Sequence, residues 1–154
     1  MEVEVVERVR RSGLSATRGR TAVLNFLARH PHSTAAEVHA GIADRLMTLT
    51  MQSVHNAVND LTDKGLLRRI DLQGASRYEV STADNHHHIR CVACGRIEDV
   101  DCVRGTAPCL HPEPTDLMPV LLSADVTFQA LCATCTDRDR SLTDSRHHQW
   151  KGRP

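Results

Sequence analysis

Aromatic side chains are nearly missing from this sequence: its 154 residues hold two Phe, one Tyr and one Trp. Any core must be assembled from Leu, Val, Ile and Ala, and a chain of this length fits one compact unit or two small ones. Two half-size aliphatic cores are marginal, so a structural metal or a dimer interface is expected to support them. Long apolar runs are missing too; none approaches the ~20 residues a membrane span needs. "MEVEVVERVRR" has none of the layout of a secretory leader. The expectation is a cytoplasmic protein without membrane contact, where cysteine spacing reads as metal binding or redox chemistry rather than as disulfides. The chain also lacks G-x-S-x-G, a phosphate-binding glycine loop, and the H-x-E with P-C-x-x-C of zinc deaminases. Enzyme classes built on those motifs are excluded, although a thiol oxidoreductase stays open.

Net charge is zero, but its distribution is uneven. Residues 1–80 carry eleven Lys/Arg against nine Asp/Glu, and residues 81–136 carry three against seven. The first stretch reads as short helices followed by a hairpin. "EVEVVERVRR" spaces Val3, Val6 and Val9 helically before Gly13. Thr17 is a good N-cap for the helix bearing Val23, Phe26 and Leu27. Thr34 and Glu37 form a capping box ahead of Val38, Ile42 and Leu46. In "TMQSVHNAVNDLTDKG" a buried face of Val54, Ala57, Val58 and Leu61 is expected, with Gly65 at the C-terminal end. "LLRRIDL" and "SRYEVS" are strand-like and joined at "QGA". Helices followed by a hairpin outline a winged helix-turn-helix over residues 1–82.

Past Thr82 the texture changes. "HHHIRCV" and "RIEDVDC" read as strands around the turn "ACG", and "PVLLSADVTFQALC" is strand-prone. This predicts a mostly antiparallel α/β domain over residues 83–136, giving an α+β protein. Residues 137–154 are poor in apolar side chains and are expected to be a disordered tail.

Cys91-x-x-Cys94 and Cys132-x-x-Cys135 are two thiolate pairs, each expected on a strand-turn. Together they supply the four soft ligands of a tetrahedral structural zinc. His86 and His88, two apart on a strand, share a face, with His87 on the other. Asp99 is placed to meet them across the turn, and Glu79 closes the preceding hairpin. Two imidazoles with carboxylates suit iron(II), manganese(II) or zinc. Spacing alone leaves that reading level with a polar surface run. It also leaves open whether Cys102 and Cys109 are a redox pair or small loop residues. Arg18, Arg20, Arg68, Arg69 and Arg77 surround the helices and wing as candidate phosphate contacts. Gln52, Ser53, His55 and Asn56 lie on the exposed N-terminal part of the proposed recognition helix, where side chains reach base edges.

"TRGRTAVLNFL", "SVHNAVNDLTDKGLLRRI", "NHHHIRCVACGRIEDV" and "CATC" resemble the ferric uptake regulator superfamily from about Leu14 to Cys135. Its members are dimeric, metal-dependent repressors. The resemblance implies a structural zinc at Cys91, Cys94, Cys132 and Cys135. It also implies a regulatory iron(II) or manganese(II) site of His32, Glu79, His86, His88 and Asp99. His32 enters that set by resemblance alone. The implied partners are a second copy of the chain and a double-stranded, near-palindromic, AT-rich operator. Asp99 and the loop with Cys102 and Cys109 resemble the peroxide-responsive branch linked to catalase genes, whereas Glu79 resembles the iron-uptake branch. An iron-responsive repressor and a Cys102/Cys109 thiol switch are therefore the alternatives to peroxide sensing. The chain departs from the family's pattern at His55, where tyrosine is usual. Asn85 and Ala124 replace histidines of a further metal site found in many members.

Overall fold

A computed structural model describes residues 2–71, 74–82, 86–102 and 126–138. The chain divides into two compact units, residues 1–83 and 84–154.

The first unit opens with α1 (Glu2–Arg11), followed by α2 (Arg18–Leu27), β1 (Ser33–Thr34), α3 (Ala35–Ile42), α4 (Met51–Asp63), β2 (Leu67–Ile70) and β3 (Arg77–Val80). The caps are those the sequence encodes. Thr17, Thr34 and Thr50 each accept a backbone N–H three residues on, and Thr34 and Glu37 close the capping box in both directions. Helix α4 buries Val54, Ala57, Val58 and Leu61, the four expected positions. Lys64 caps it, and Gly65 follows at φ 68°, the left-handed turn that releases the chain into β2.

Helix α1 departs from expectation. Val3 is 76% exposed, while Val9 is fully buried and Val5 packs beside it. A step of three residues falls short of a turn, so Val3 lies about 120° away from Val9 and Val5 only about 40°. The core joins Val9 to Val23, Leu24, Leu27, Val38, Val54, Val58 and Leu61, with Tyr78 its buried aromatic ring. Each such fully buried Val or Leu contributes roughly 1.5–3 kcal/mol. Among the described residues, β1, β3 and β2 form an antiparallel sheet in that order. The described residues of this unit thus combine four helices with a small antiparallel sheet.

The second unit contains β4 (His86–Cys91), β5 (Ile97–Asp101), β6 (Thr127–Ala130) and α5 (Ala133–Arg138). Its sheet order is β5-β4-β6. Among the described residues the β4–β5 pair is antiparallel and β4–β6 is parallel, so the sheet seen there is mixed where a mostly antiparallel one was expected. Helix α5 extends to Arg138, so the tail expected from residue 137 starts no earlier than 139. The remainder of that tail and the loop with Cys109 lie outside the described residues. Among the described residues of this unit the buried ones are Cys91, His87 and His88, and Phe128 is half-exposed. Among these residues, a metal joining the thiols would be a main source of support. No helix among the described residues is long and apolar enough to cross a membrane.

Candidate metal centres and nucleic-acid interface

The four thiols of the second unit come together. Strand β4 ends at Cys91, the turn at Gly95 (φ 76°) folds back, and Cys94 sits within it. Cys132 and Cys135 bracket the first turn of α5, where Thr136 N–H donates to the Cys132 carbonyl. The second pair therefore rests on a helical turn rather than the expected strand-turn; positions three apart on a helix also share a face. The four Sγ atoms lie within 4.8 Å of one another. Cys94 and Cys132 are 3.8 Å apart, which is no disulfide, and all four thiols are free. A tetrahedral zinc with ~2.3 Å Zn–S bonds requires sulfur–sulfur edges of about 3.8 Å. The residues fit that ion.

Their acidities differ. The Cys132 N–H, at 3.4 Å, and the Cys94 N–H point at the Cys91 sulfur and lower its pKa to about 6. A hydrogen bond shared with the Cys132 thiol, together with burial, pushes Cys135 up to about 12. A metal must displace the proton of every thiol it takes. Zinc uptake at pH 7.5 should thus release protons, Cys135's among them, and affinity should rise with pH through the neutral range. Cys91 adds competition only below about pH 6. Calorimetry in buffers of different ionisation enthalpy would measure the release, and proton-free uptake would contradict this account.

Beside the thiols, β4 and β5 place a second donor set. His88 is the cross-strand partner of Asp99, and His86 of Asp101. One Asp99 oxygen lies 3.6 Å from His88 Nε2 and 3.9 Å from His86 Nε2. The two rings stand edge to face at 5.2 Å. His87 points to the other face, its ring 6.1 Å from that of Phe128.

In the first unit, His32 and Glu79 meet. His32 Nε2 is 3.1 Å from one Glu79 oxygen, and Arg68 is 3.2 Å from the other. Glu79 is 3% exposed. The sheet register explains the group: Arg68 faces Glu79 across β2–β3, and His32 immediately precedes β1 on the opposite side of β3. His32 has φ 60°, a conformation unusual outside glycine. Nothing in the sequence marks that turn, and a two-residue polar strand is too short to leave a periodic signal.

The basic residues divide. Arg18 is exposed at the start of α2, and Gln52, His55 and Asn56 are exposed on α4, with Ser53 half-buried. Gln52 donates to Asn56 at 3.0 Å, and Ser53 meets Thr50 at 2.9 Å. Arg20 donates twice to Asp60, at 3.2 and 2.6 Å, and once to the Ser15 carbonyl, tying α2 to α4. Arg69 pairs with Asp71 and Ser76, whose hydroxyl and guanidinium partners together hold the Asp71 carboxyl below its usual range. Arg77 donates to the His32 carbonyl at 2.7 Å and approaches Glu37 at 3.3 Å. Sequence reasoning gave all five arginines one role; four of them have acceptors within their own unit. Cys102 is half-buried after β5.

The model of the ferric uptake regulator family matches residues 11–104. The chain belongs to the ferric uptake regulator family. Ferric uptake regulation protein 1 of Mycolicibacterium fortuitum is 41% identical over 147 residues, covering 94% of this chain and 90% of that protein. Transcriptional regulator FurA of Mycobacterium tuberculosis is 39% identical over 139 residues, covering 90% and 94%. The fold is similar to that of the solved Helicobacter pylori ferric uptake regulator, with TM-score 0.66 and 20% identity over 88% of this chain and 94% of that one. As a member of this family the protein is a metal-responsive transcriptional regulator and not an enzyme.

Proposed function

We propose that this family member is a dimeric, DNA-binding repressor that senses peroxide through iron(II) and controls oxidative-stress genes such as that for catalase. One observation carries the reading: each unit presents an incomplete set of nitrogen and oxygen donors. The first unit offers His32 and Glu79; the second offers His86, His88 and Asp99. Neither set alone saturates an ion, whereas five donors drawn from both suit iron(II) or manganese(II) and leave a position open. A metal ligated from both units favours one arrangement of two recognition helices in a dimer and so raises DNA affinity. The structural zinc, at Cys91, Cys94, Cys132 and Cys135, holds the second unit in shape. The test is DNA binding by the zinc-loaded protein as iron(II), manganese(II) and peroxide are varied. A response to iron(II) without one to peroxide would select the iron-uptake reading instead.

In this reading α4 enters the major groove and Arg18 contacts phosphate, with Arg20 fixing the angle of α4 through Asp60. Asn56→Ala should weaken specific binding by ~1–3 kcal/mol if its amide makes a paired base contact. Arg18→Ala should weaken all DNA alike and reduce the slope of log affinity against log salt by about one unit. Fluorescence anisotropy on operator and random duplexes separates them. Equal effects of both substitutions on both duplexes would remove the division of roles.

A further inference from the structure

Arg77 has the position of a wing cation, but its partners are elsewhere. Its Nη1 donates to the carbonyl of His32 at 2.7 Å and lies 3.3 Å from Glu37 Oε2. The register makes this reach natural, since Thr34 is Arg77's cross-strand partner and His32 stands two residues earlier. Glu37 is itself fixed, because the Thr34 N–H donates to its carboxylate at 2.7 Å. That bond holds the Glu37 carboxyl below its usual range, so it is an anion at neutral pH. His32 meanwhile occupies a left-handed backbone conformation with a β-carbon. Such a turn persists when its surroundings over-determine it. Ser33 Oγ, donating to the His30 carbonyl at 2.8 Å, secures the turn from one side. Arg77 secures it from the other.

We infer that Arg77 is a positioning residue for the regulatory metal, acting through the His32 backbone to hold the His32 imidazole against Glu79, and not a phosphate contact. This rests on the proposed ligand role of His32. Arg77 bonds the main chain of that residue and leaves the ring to the ion. Its removal should therefore loosen the ligand while changing none of the donor atoms. Glu37 acts one step further out, anchoring the guanidinium to the capping box of α3. The local fold and the metal donor are thus tied through one side chain.

The test uses the full-length, zinc-loaded protein and manganese(II) as probe, read from the electron paramagnetic resonance of the free ion. Arg77→Met should weaken manganese binding ~10–100-fold, the usual cost of losing a partner that orients a metal ligand. Arg77→Lys, which can still donate to the carbonyl, should recover much of it. In a His32→Ala background Arg77→Met should have little further effect, because the two act on one donor. The salt slope of random-duplex binding by the metal-free protein should stay at the wild-type value. A phosphate contact would give the reverse: a slope smaller by about 0.9 and unchanged manganese affinity. Full additivity of the His32 and Arg77 substitutions would also overturn the inference. If Arg77→Met melts at a markedly lower temperature, Arg77→Lys carries the same comparison, and its failing to bind better than Arg77→Met counts against positioning. Should His32→Ala alone leave manganese affinity intact, the ligand set is wrong, which is a different failure.

Discussion

Cys94→Ser should strip zinc from the protein and take the dimer with it. Cys94 suits the test because its residue is exposed. Exchanging sulfur for oxygen there opens no core cavity, unlike the same change at buried Cys91. What it removes is one of four thiolates converging within 4.8 Å. Structural zinc sites of this kind are worth roughly 10–16 kcal/mol, so losing one donor costs on the order of a hundredfold or more in affinity. Among the described residues of the second unit, His87, His88 and Cys91 are the buried ones, so the thiol cluster is a large part of the support seen there. Without the ion, the link from the end of β4 to α5 would fall back on the Cys132 N–H to Cys91 sulfur contact at 3.4 Å. Zinc per chain and sedimentation of the variant measure both consequences. A variant with one full zinc and an unchanged dimer would remove the assignment.

Peroxide should leave its mark on a ligand histidine, and only in the iron form. When bound, iron(II) supplies the electrons that cleave the O–O bond of peroxide beside the imidazoles. As proposed ligands of that ion, the His32 and His86 rings would offer it the nearest oxidisable carbons. In the net reaction one peroxide is reduced to water while one oxygen is inserted at an imidazole C–H. The oxidised ring would be a poorer donor, the ion would be lost, and DNA would be released. Manganese(II) should fill the same positions and give a peroxide-resistant repressor. Mass spectrometry of digested protein should show one added oxygen on peptides bearing His32 or His86 after iron loading, and none after manganese loading. Release of DNA from the manganese form, or loss of the response in Cys102→Ser with both histidines intact, would assign sensing to the thiols.

Much of this was legible from residues alone where a periodic or local signal existed. Helix α4 announces its buried face through Val54, Ala57, Val58 and Leu61, because aliphatics at that spacing have one place to go. The meeting of His88 with Asp99 follows from a tight turn between alternating strands, which fixes register. The four cysteines needed only their spacing, although one pair lies on a helix. Other features left no local trace. Strand β1 is two residues long and polar, and its pairing with β3 is a tertiary event. The left-handed backbone at His32 is held by Arg77 and Ser33, not by a glycine that would have flagged it. The parallel partner of β4 arrives from residues 127–130, beyond a long intervening stretch. Arginine roles were hidden for a similar reason: whether Arg20 or Arg77 faces solvent depends on Asp60 and His32, forty or more positions away.

The central claim is that one regulatory ion takes ligands from both units and that DNA affinity follows it. The most direct measurement is manganese(II) stoichiometry and operator affinity for three proteins, each with its zinc retained: wild type, His32→Ala and His88→Ala. The account predicts one manganese per chain in the wild type. Either histidine substitution, though the two lie in different units, should abolish both tight manganese binding and the metal-dependent gain in operator affinity. A His32→Ala protein that still binds one manganese tightly and still responds on DNA would contradict it, because the ion would then belong to the second unit alone.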